Sequence, residues 1–217
     1  MKSYHLNVLD KNQKKIFPNL SFLAQDGFYL AGGTALALQI GHRTSVDFDF
    51  YSNKHFDALT LYDKIEDIFG QKAKRTGQAE DTLFCKIGKA DLSFFWYKHP
   101  LIKKTITFKG VPLASLGDIA AMKLIAVSRR PVKRDYIDIF FLLKRFSLEQ
   151  IFSFAAEKYP NINLYFSLRA LTFFDDVEGK EGKRPVKVFD KNFSWEKAKK
   201  KIFEEVKKYQ LGMIKKK

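Results

Sequence analysis

The sequence predicts an α+β fold, with a front domain of strands and helices joined to a mainly helical back domain. Residues 28–108 alternate between strand and helix patterns, whereas residues 115–159 show helical spacing only. The composition supports a real core, because 46% of the residues are hydrophobic and 15% are aromatic. At about 150 residues per domain, the 217 residues allow one large domain or a body with a modest second module. We place the domains at residues 1–112 and 113–217.

The elements of the front domain are predicted from apolar segments and from the residues that end them. A helix closes over residues 21–27, a short apolar strand covers 28–31, and a helix over 35–40 ends at Gly41, which suits a helix terminus. Residues 46–51 alternate with period two and are rich in aromatic residues, which indicates a strand. The remaining predicted elements are a helix over 58–69, strands over 82–87 and 90–97 joined by a Gly88-Lys89 turn, and a strand over 105–108.

The back domain reads as successive helices. Ser115 followed by Asp118 resembles an acidic capping box that opens a helix reaching about residue 128, and Pro131 separates it from a helix over 134–145. A third helix covers 148–159. After a Gly-, Pro- and Lys-rich loop at 179–185, Ser194 caps a helix over 195–209. One stripe of that helix is apolar: Trp195, Ala198, Ile202, Val206 and Tyr209.

The net charge of +15 favours a polyanionic partner such as nucleic acid or nucleotide. Residues 179–217 carry 14 Lys and Arg against 5 Asp and Glu, a net charge of +9. The lysines of the tail helix form either a solvated face or a contact surface for RNA or DNA. The single cysteine, Cys85, excludes an intrachain disulfide and suits a buried small hydrophobic residue. Without a signal-peptide pattern or a long apolar run, we expect a cytoplasmic protein with no membrane contact.

Asp47 and Asp49 are the first candidate functional residues. They lie two apart on a predicted strand, so both carboxylates project from one face while Phe48 and Phe50 point into the core. Two adjacent carboxylates repel each other unless a cation lies between them, and Mg²⁺ prefers carboxylate oxygens and also holds nucleotide phosphates. The pair is therefore either a metal site or two solvated residues on an exposed strand face.

Two further features favour phosphate chemistry. Gly32-Gly33-Thr34 lies between a strand and a helix N-terminus, where backbone N–H groups attract a phosphate, although a tight turn alone would also explain the glycines. Asp91 lies in an apolar strand and needs a partner or a metal, unless the strand is at the edge of the sheet.

Arg43 precedes the Asp47 strand and could stabilise triphosphate charge, or could simply be solvated.

In the back domain, Lys123 lies in an otherwise apolar helix turn. A nucleotide phosphate would supply the anion it needs, whereas the alternative is a lysine that reaches out to solvent. Arg134, Asp135 and Asp138 share a helix face. They form a structural ion-pair network, or Asp135 reaches the active site as a base or substrate-positioning group.

Several of these segments resemble the AbiEii/AbiGii toxin family of the polymerase-beta-like nucleotidyltransferase superfamily. The similar segments are residues 30–38 (LAGGTALAL), 43–50 (RTSVDFDF), 122–126 (MKLIA), 134–143 (RDYIDIFFLL), 171–178 (LTFFDDVE) and the tail helix. The resemblance spans about residues 28–209. It implies that residues 1–112 form a nucleotidyltransferase fold, a small mixed sheet with flanking helices.

The resemblance also implies residue roles. Gly32, Gly33 and Thr34 would contact the nucleotide triphosphate, with Thr34 the departure from a more usual Gly-Ser turn. The metal ligands would be Asp47, Asp49 and Asp91, holding two Mg²⁺ ions, or Mn²⁺. It favours active-site roles for Lys123 and Asp135 and a structural role for Asp138.

We therefore expect a nucleotidyltransferase toxin that transfers NMP from an NTP to RNA, with the tRNA 3′ end as acceptor and the basic tail as its docking surface. A separate antitoxin protein would accompany it. Two alternatives stay open, namely NMP transfer to a protein hydroxyl and a non-catalytic nucleotide-binding module.

Overall fold

A computed structural model describes residues 4–178 and 186–215. The loop expected at residues 179–185 lies outside the described residues. The chain divides into two compact units, the first ending at Ser115 and the second beginning at Leu116. The division therefore falls a few residues beyond the expected boundary between 112 and 113.

The first unit combines short helices with a sheet. Its described α-helices are α1 (Lys11–Ile16), α2 (Gly32–Ile40) and α3 (Ala58–Phe69), and 3₁₀ segments cover Leu6–Val8, Phe17–Ala24 and Gly70–Lys72. Its described strands are β1 (Tyr29–Ala31), β2 (Asp47–Ser52), β3 (Ala73–Ala79), β4 (Thr82–Ile87), β5 (Ala90–Trp96), β6 (Ile106–Phe108) and β7 (Val111–Leu113).

The strands form one mixed sheet in the order β3-β4-β5-β2-β1-β7-β6. The β2–β5 and β1–β7 pairs are parallel, and the other neighbouring pairs are antiparallel. Strands β2 and β5 occupy interior positions, so residues on them are placed by hydrogen-bonded neighbours on both sides. This mixed α+β architecture confirms the expected fold class.

Alternation along β2 and β5 separates a buried face from a more open one. Phe48 and Phe50 on β2 and Phe94 on β5 are fully buried, and the rings of Phe50 and Phe94 stack at 5.3 Å. Cys85 on β4 lies on this buried face, and burial raises the pKa of its thiol to about 12. The expectation that Cys85 is a buried hydrophobic residue is confirmed.

Two strands of the first unit escaped the sequence analysis. Strand β3 carries a polar sequence with Gly77 inside it, and it forms because it pairs with β4 at the edge of the sheet. Strand β7 has only three residues and contains Pro112, but it pairs with both β1 and β6. In each case a neighbouring strand, rather than local propensity, decides the conformation.

The second unit is helical, as expected. Its described α-helices are α4 (Leu116–Arg129), α5 (Lys133–Leu142), α6 (Leu148–Lys158), α7 (Tyr165–Ala170) and α8 (Trp195–Lys215). A 3₁₀ turn covers Asp175–Val177, and α7 was not foreseen from the sequence. Helix α4 packs against α5, α6 and α7, and buries an apolar surface that includes Ile119 and Leu124.

Helix α8 confirms the predicted cap and stripe. The Ser194 hydroxyl accepts a hydrogen bond from the backbone N–H of Lys197 at 3.2 Å. Ala198, Ile202 and Val206 are buried, and Tyr209 stacks on Phe152 of α6 with ring centroids 4.8 Å apart.

Within residues 4–178 and 186–215, no helix has both the length and the hydropathy that a membrane span requires.

Candidate active site

Aspartates on two neighbouring parallel strands come together on the open face of the sheet. Asp47 on β2 and Asp91 on β5 are direct register partners, and Asp49 is paired in the same way with Ser93. Because side chains alternate along a strand, all three carboxylates share one face, which we call the carboxylate face. The three aspartates are half-buried, whereas Phe48 lies on the opposite face. The expected projection of Asp47 and Asp49 from one face is confirmed.

Asp91 lies in the interior of the sheet, because β5 sits between β4 and β2. The edge-strand explanation for this residue is therefore wrong. Its carboxylate lies 3.2 Å from the Lys86 ammonium on β4, and its side chain is 29% exposed. Lys86, Asp91 and Asp47 follow one another across three strands in register. The sequence does not predict the contact between Lys86 and Asp91, because strand register is not visible in a single sequence.

The glycine turn lies directly against this cluster. Gly32 has φ of +65°, and a Cβ atom added to it would lie 3.0 Å from Oδ2 of Asp49. A Cβ atom added to Gly33 would lie only 2.5 Å from Nη2 of Arg43. Glycine is therefore favoured at position 32 by the backbone conformation, and at position 33 the missing side chain leaves the space that the Arg43 guanidinium occupies.

Thr34 connects the turn to the strand that carries the aspartates. Its side chain is 2% exposed. Its hydroxyl lies 2.7 Å from the Ser45 hydroxyl and donates a short hydrogen bond to the backbone carbonyl of Asp47. These bonds tie the start of α2 to the start of β2, so the Thr34 hydroxyl already has partners within the protein.

Arg43 is buried at 2% exposure, so the solvated-loop alternative for this arginine is wrong. Its Nη1 donates a hydrogen bond to the carbonyl of Thr44 at 3.0 Å. Since the Nη2 atom packs over Gly33, the guanidinium lies beside the glycine turn. A buried, permanently charged group at this position favours a neighbouring anion.

In the second unit, Lys123 lies between two carboxylates. Its ammonium is 2.6 Å from Oδ1 of Asp135 and 2.7 Å from Oδ2 of Asp138. The Lys123 side chain is 9% exposed, so the alternative of a lysine that reaches out to solvent is wrong. These two aspartates supply the anion that the buried lysine requires, which supports the structural ion-pair network left open for Asp135 and Asp138.

A second buried ion pair went unnoticed in the sequence. Asp118 on α4 and Lys158 at the end of α6 lie 2.8 Å apart, and both side chains are fully buried. The sequence suggested a helix-capping role for Asp118, but its carboxylate also accepts a bond from Lys158. The two residues are 40 positions apart, so no local pattern links them.

The carboxylate face has the donor chemistry for a hard divalent cation. Asp47, Asp49 and Asp91 present oxygen atoms, which Mg²⁺ and Mn²⁺ prefer. In the described part of the chain, however, no three His, Cys, Asp or Glu side chains are arranged to hold a metal ion. The residues therefore fit the cation in chemistry and in the face they share. Binding of one cation by all three would require side-chain movement.

Comparisons with known proteins agree with this arrangement. The family described as nucleotidyl transferase AbiEii toxin, Type IV TA system, matches residues 21–209. An uncharacterised protein of Aquifex aeolicus (strain VF5), aq_aa25, is 32% identical over 179 residues, covering 79% of this chain and 86% of that protein.

Two solved structures from Helicobacter pylori share the fold at 16% identity. JHP933 has a TM-score of 0.57 and covers 96% of both chains. A second H. pylori structure has a TM-score of 0.56 and covers 98% of this chain and 97% of that one. Because the family match runs from before the glycine turn to the tail helix, the chain belongs to the AbiEii nucleotidyltransferase toxin family and is a nucleotidyltransferase.

Proposed function

We propose that this nucleotidyltransferase transfers NMP from an NTP to the 3′-terminal hydroxyl of an RNA, with the tRNA 3′ end as the preferred acceptor. The observation that carries the proposal is the register pairing of Asp47 with Asp91, beside a glycine turn that packs against Asp49. Carboxylates and backbone N–H groups at one site suit a nucleotide bound through a divalent cation.

In this proposal the acceptor hydroxyl oxygen attacks the α-phosphorus of the NTP. The new P–O bond joins NMP to the acceptor, the bond to the β-phosphate oxygen breaks, pyrophosphate leaves and the hydroxyl proton is released. Bound Mg²⁺ would lower the pKa of the acceptor hydroxyl and neutralise charge on the phosphates. Asp47, Asp49 and Asp91 would hold the cation.

The glycine turn and Arg43 would hold the triphosphate. Gly32 and Gly33 expose backbone at the start of α2, where N–H groups have no partner within the helix. The guanidinium of Arg43, held over Gly33, adds a permanent positive charge. Thr34 would act by keeping this turn aligned with Asp47, through its bond to the Asp47 carbonyl. The nucleotide-binding role of Lys123 and the role of Asp135 as a base or substrate-positioning group stay predictions, and the role of Lys123 is tested below.

A label-transfer assay tests the proposal. The wild type, Asp47→Asn/Asp49→Asn and the control Asp63→Asn/Asp67→Asn are incubated with each α-³²P-labelled NTP, Mg²⁺ and total RNA and protein. Asp63 and Asp67 are exposed on α3, so the control removes the same charge from the same unit. We expect RNA labelling by the wild type and the control only. Equal labelling by the Asp47/Asp49 variant would overturn the site assignment, and label in protein would overturn the RNA acceptor.

The family also implies an NTP substrate and an antitoxin partner. We infer that expression of the protein arrests growth through NMP transfer and that a separate antitoxin relieves the arrest. Growth is measured with the wild type and with Asp49→Asn at equal protein levels. Normal growth with the wild type, or arrest by Asp49→Asn, would contradict this toxin mechanism.

A further inference from the structure

Four exposed lysines lie together at one end of the sheet in the first unit. We call this group, Lys72, Lys74, Lys86 and Lys89, the lysine corner. Lys74 on β3 and Lys86 on β4 are register partners. Lys89 lies in the β4–β5 turn, and the backbone N–H of Gly88 in this turn donates to the Lys72 carbonyl at 3.0 Å. Strand pairing therefore gathers these cations into one positive surface.

The lysine corner adjoins the carboxylate face. Lys86 pairs in register with Asp91, which in turn pairs with Asp47. Because neighbouring strands lie about 4.8 Å apart, the Cα of Lys86 is about 5 Å from that of Asp91 and about 10 Å from that of Asp47. A phosphate bound near Lys86 would therefore lie beside Asp91 and about 10 Å from Asp47.

An exposed aromatic ring lies beside these cations. Phe84 is two residues before Lys86 on β4, so both side chains project from the same face. Phe84 is 39% exposed, and its ring contacts Phe95 edge-to-face with the ring centroids 5.6 Å apart. This contact orients the Phe84 ring while leaving much of it open to solvent. An oriented, exposed ring next to lysines is the arrangement on which unpaired bases stack.

We propose that the lysine corner and Phe84 bind single-stranded RNA, immediately before the 3′ hydroxyl that receives the NMP. This inference rests on the proposed function, in which RNA is the acceptor. The lysines contact the phosphates of the RNA backbone, and the Phe84 ring stacks on a base. The principal contact with the acceptor RNA is then in the first unit, next to the carboxylates, and not on the tail helix α8 as expected from the sequence.

Protection of a sheet edge is the competing explanation for lysines at this position, since charged side chains prevent edge strands from pairing with other chains. That role needs lysines on β3, which is the edge strand. It accounts for Lys74, but Lys86 lies on the adjacent strand β4, and Lys89 lies in the turn that follows it. Edge protection also has no use for an exposed Phe84 ring.

Fluorescence anisotropy tests whether the lysines bind RNA. The affinity for a 5′-fluorescent single-stranded RNA is measured over a series of KCl concentrations, without NTP or divalent cations. The variant is Lys72→Ala/Lys74→Ala/Lys89→Ala, which leaves the contact between Lys86 and Asp91 intact. The control is Lys200→Ala/Lys207→Ala/Lys208→Ala, which removes three exposed charges from α8. Each phosphate contact contributes about 0.7 to the magnitude of the slope of log K against log salt concentration. We therefore expect the loss of three lysines to lower the magnitude of this slope by about 2.

At low salt we expect the lysine variant to bind the RNA about tenfold or more weakly, with the control within about twofold of the wild type. Phe84→Ala is expected to weaken binding about fivefold or more at an unchanged salt slope, because base stacking is lost without loss of charge. Phe203→Ala is its control, because Phe203 on α8 is 55% exposed. Thermal melts of all variants confirm that they fold.

The proposal would be overturned if the lysine variant bound the RNA with the affinity and the salt slope of the wild type. It would also be overturned if only the α8 control lost affinity for the RNA. If the lysine variant loses affinity only for a non-hydrolysable NTP, the corner binds triphosphate and the RNA proposal is wrong. Absence of RNA binding by the wild type would also overturn it. Label transfer tests the proposed function separately, because Asp47→Asn/Asp49→Asn removes transfer and leaves this metal-free RNA binding in place.

Discussion

The aspartates of the two units have opposite surroundings. In the first unit, Asp47, Asp49 and Asp91 lie half-buried on the open face of a sheet, and the Asp91 side chain is 29% exposed. In the second unit, Asp118 and Asp138 have no exposed side-chain surface, and each lies within 2.8 Å of a lysine ammonium. The same residue type therefore occurs at an accessible site and inside buried ion pairs.

Burial beside a lysine distinguishes the structural carboxylates from the candidate functional ones. A buried carboxylate is costly unless a cation and hydrogen bonds compensate it, and the buried Asp118 and Asp138 each lie beside a lysine from another helix. Carboxylates gathered on an open face remain accessible to an external cation. Substitutions should then affect stability in the second unit and activity in the first.

The largest expected effect is on the Asp118–Lys158 pair. Lys158→Met leaves a fully buried carboxylate without its cation, so we expect the free energy of unfolding to fall by about 3–5 kcal/mol. Urea denaturation followed by circular dichroism measures the change. The double variant Lys158→Met/Asp118→Leu removes both charges and should recover most of the loss. A cost below about 1 kcal/mol for the single variant would contradict the expectation that the Asp118 carboxylate is left buried without a cation.

The next effect concerns Lys123 and distinguishes its two roles. If Lys123 mainly neutralises Asp135 and Asp138, Lys123→Met should lower the free energy of unfolding by about 3 kcal/mol. NMP transfer per folded molecule, measured at low temperature, should then stay within about tenfold of the wild type. A raised KM for the NTP with unchanged stability would instead support the nucleotide-binding role that the family resemblance implies.

Asp91 is the intermediate case, because it shares the carboxylate face with Asp47 but lies beside Lys86. As a metal ligand, it should be needed for NMP transfer, and we expect Asp91→Asn to slow transfer by more than about 100-fold. The melting temperature should change by only a few degrees, and Asp63→Asn on α3 serves as the control. Normal transfer by Asp91→Asn would place this residue with the structural aspartates of the second unit.

The smallest effect is expected at Asp81, whose side chain is 13% exposed and whose carboxylate accepts hydrogen bonds. The backbone N–H of Phe56, followed by the side chain of His55, lowers the pKa of Asp81. A depressed carboxyl pKa adds stability above the unfolded-state value near 3.8, and that stability is lost as the pH falls through the folded-state pKa. Asp81→Asn should lower the Tm by no more than about 2–4 °C at pH 7.

A pH series of Tm measurements checks the Asp81 prediction. The difference between Asp81→Asn and the wild type should shrink as the pH falls below about 4, because the wild-type carboxyl then becomes protonated. A constant difference down to pH 2 would show that the carboxylate charge at Asp81 has no part in stability. A loss as large as that of Lys158→Met would contradict the difference expected between Asp81 and the fully buried Asp118.

Local patterns were sufficient for most elements and for the carboxylates of β2. The alternation of residues 46–51 predicted that Asp47 and Asp49 share a face, and Gly41 marked the end of α2, where its φ is +67°. The helical stripe of α8 was likewise confirmed by the burial of Ala198 and Val206. These features follow from a residue and its near neighbours, which a sequence displays directly.

Features that depend on distant residues were not predictable. Strand β3 forms through pairing with β4, and the partners Asp118 and Lys158 lie on different helices. The burial of Arg43 against Gly33 also arises from packing between segments. Propensity and periodicity carry no information about which segments meet, so such contacts need the fold itself.

The sequence by itself determined the fold class, the glycine turn and the presence of two aspartates on one strand face. The tertiary structure was needed to place Asp91 beside Asp47, to place Lys86 beside Asp91, and to show that Lys123 is neutralised within its own unit. The physical reason is that side-chain direction is set by local backbone geometry, whereas strand register and charge pairing are set by the packing of segments far apart in the chain.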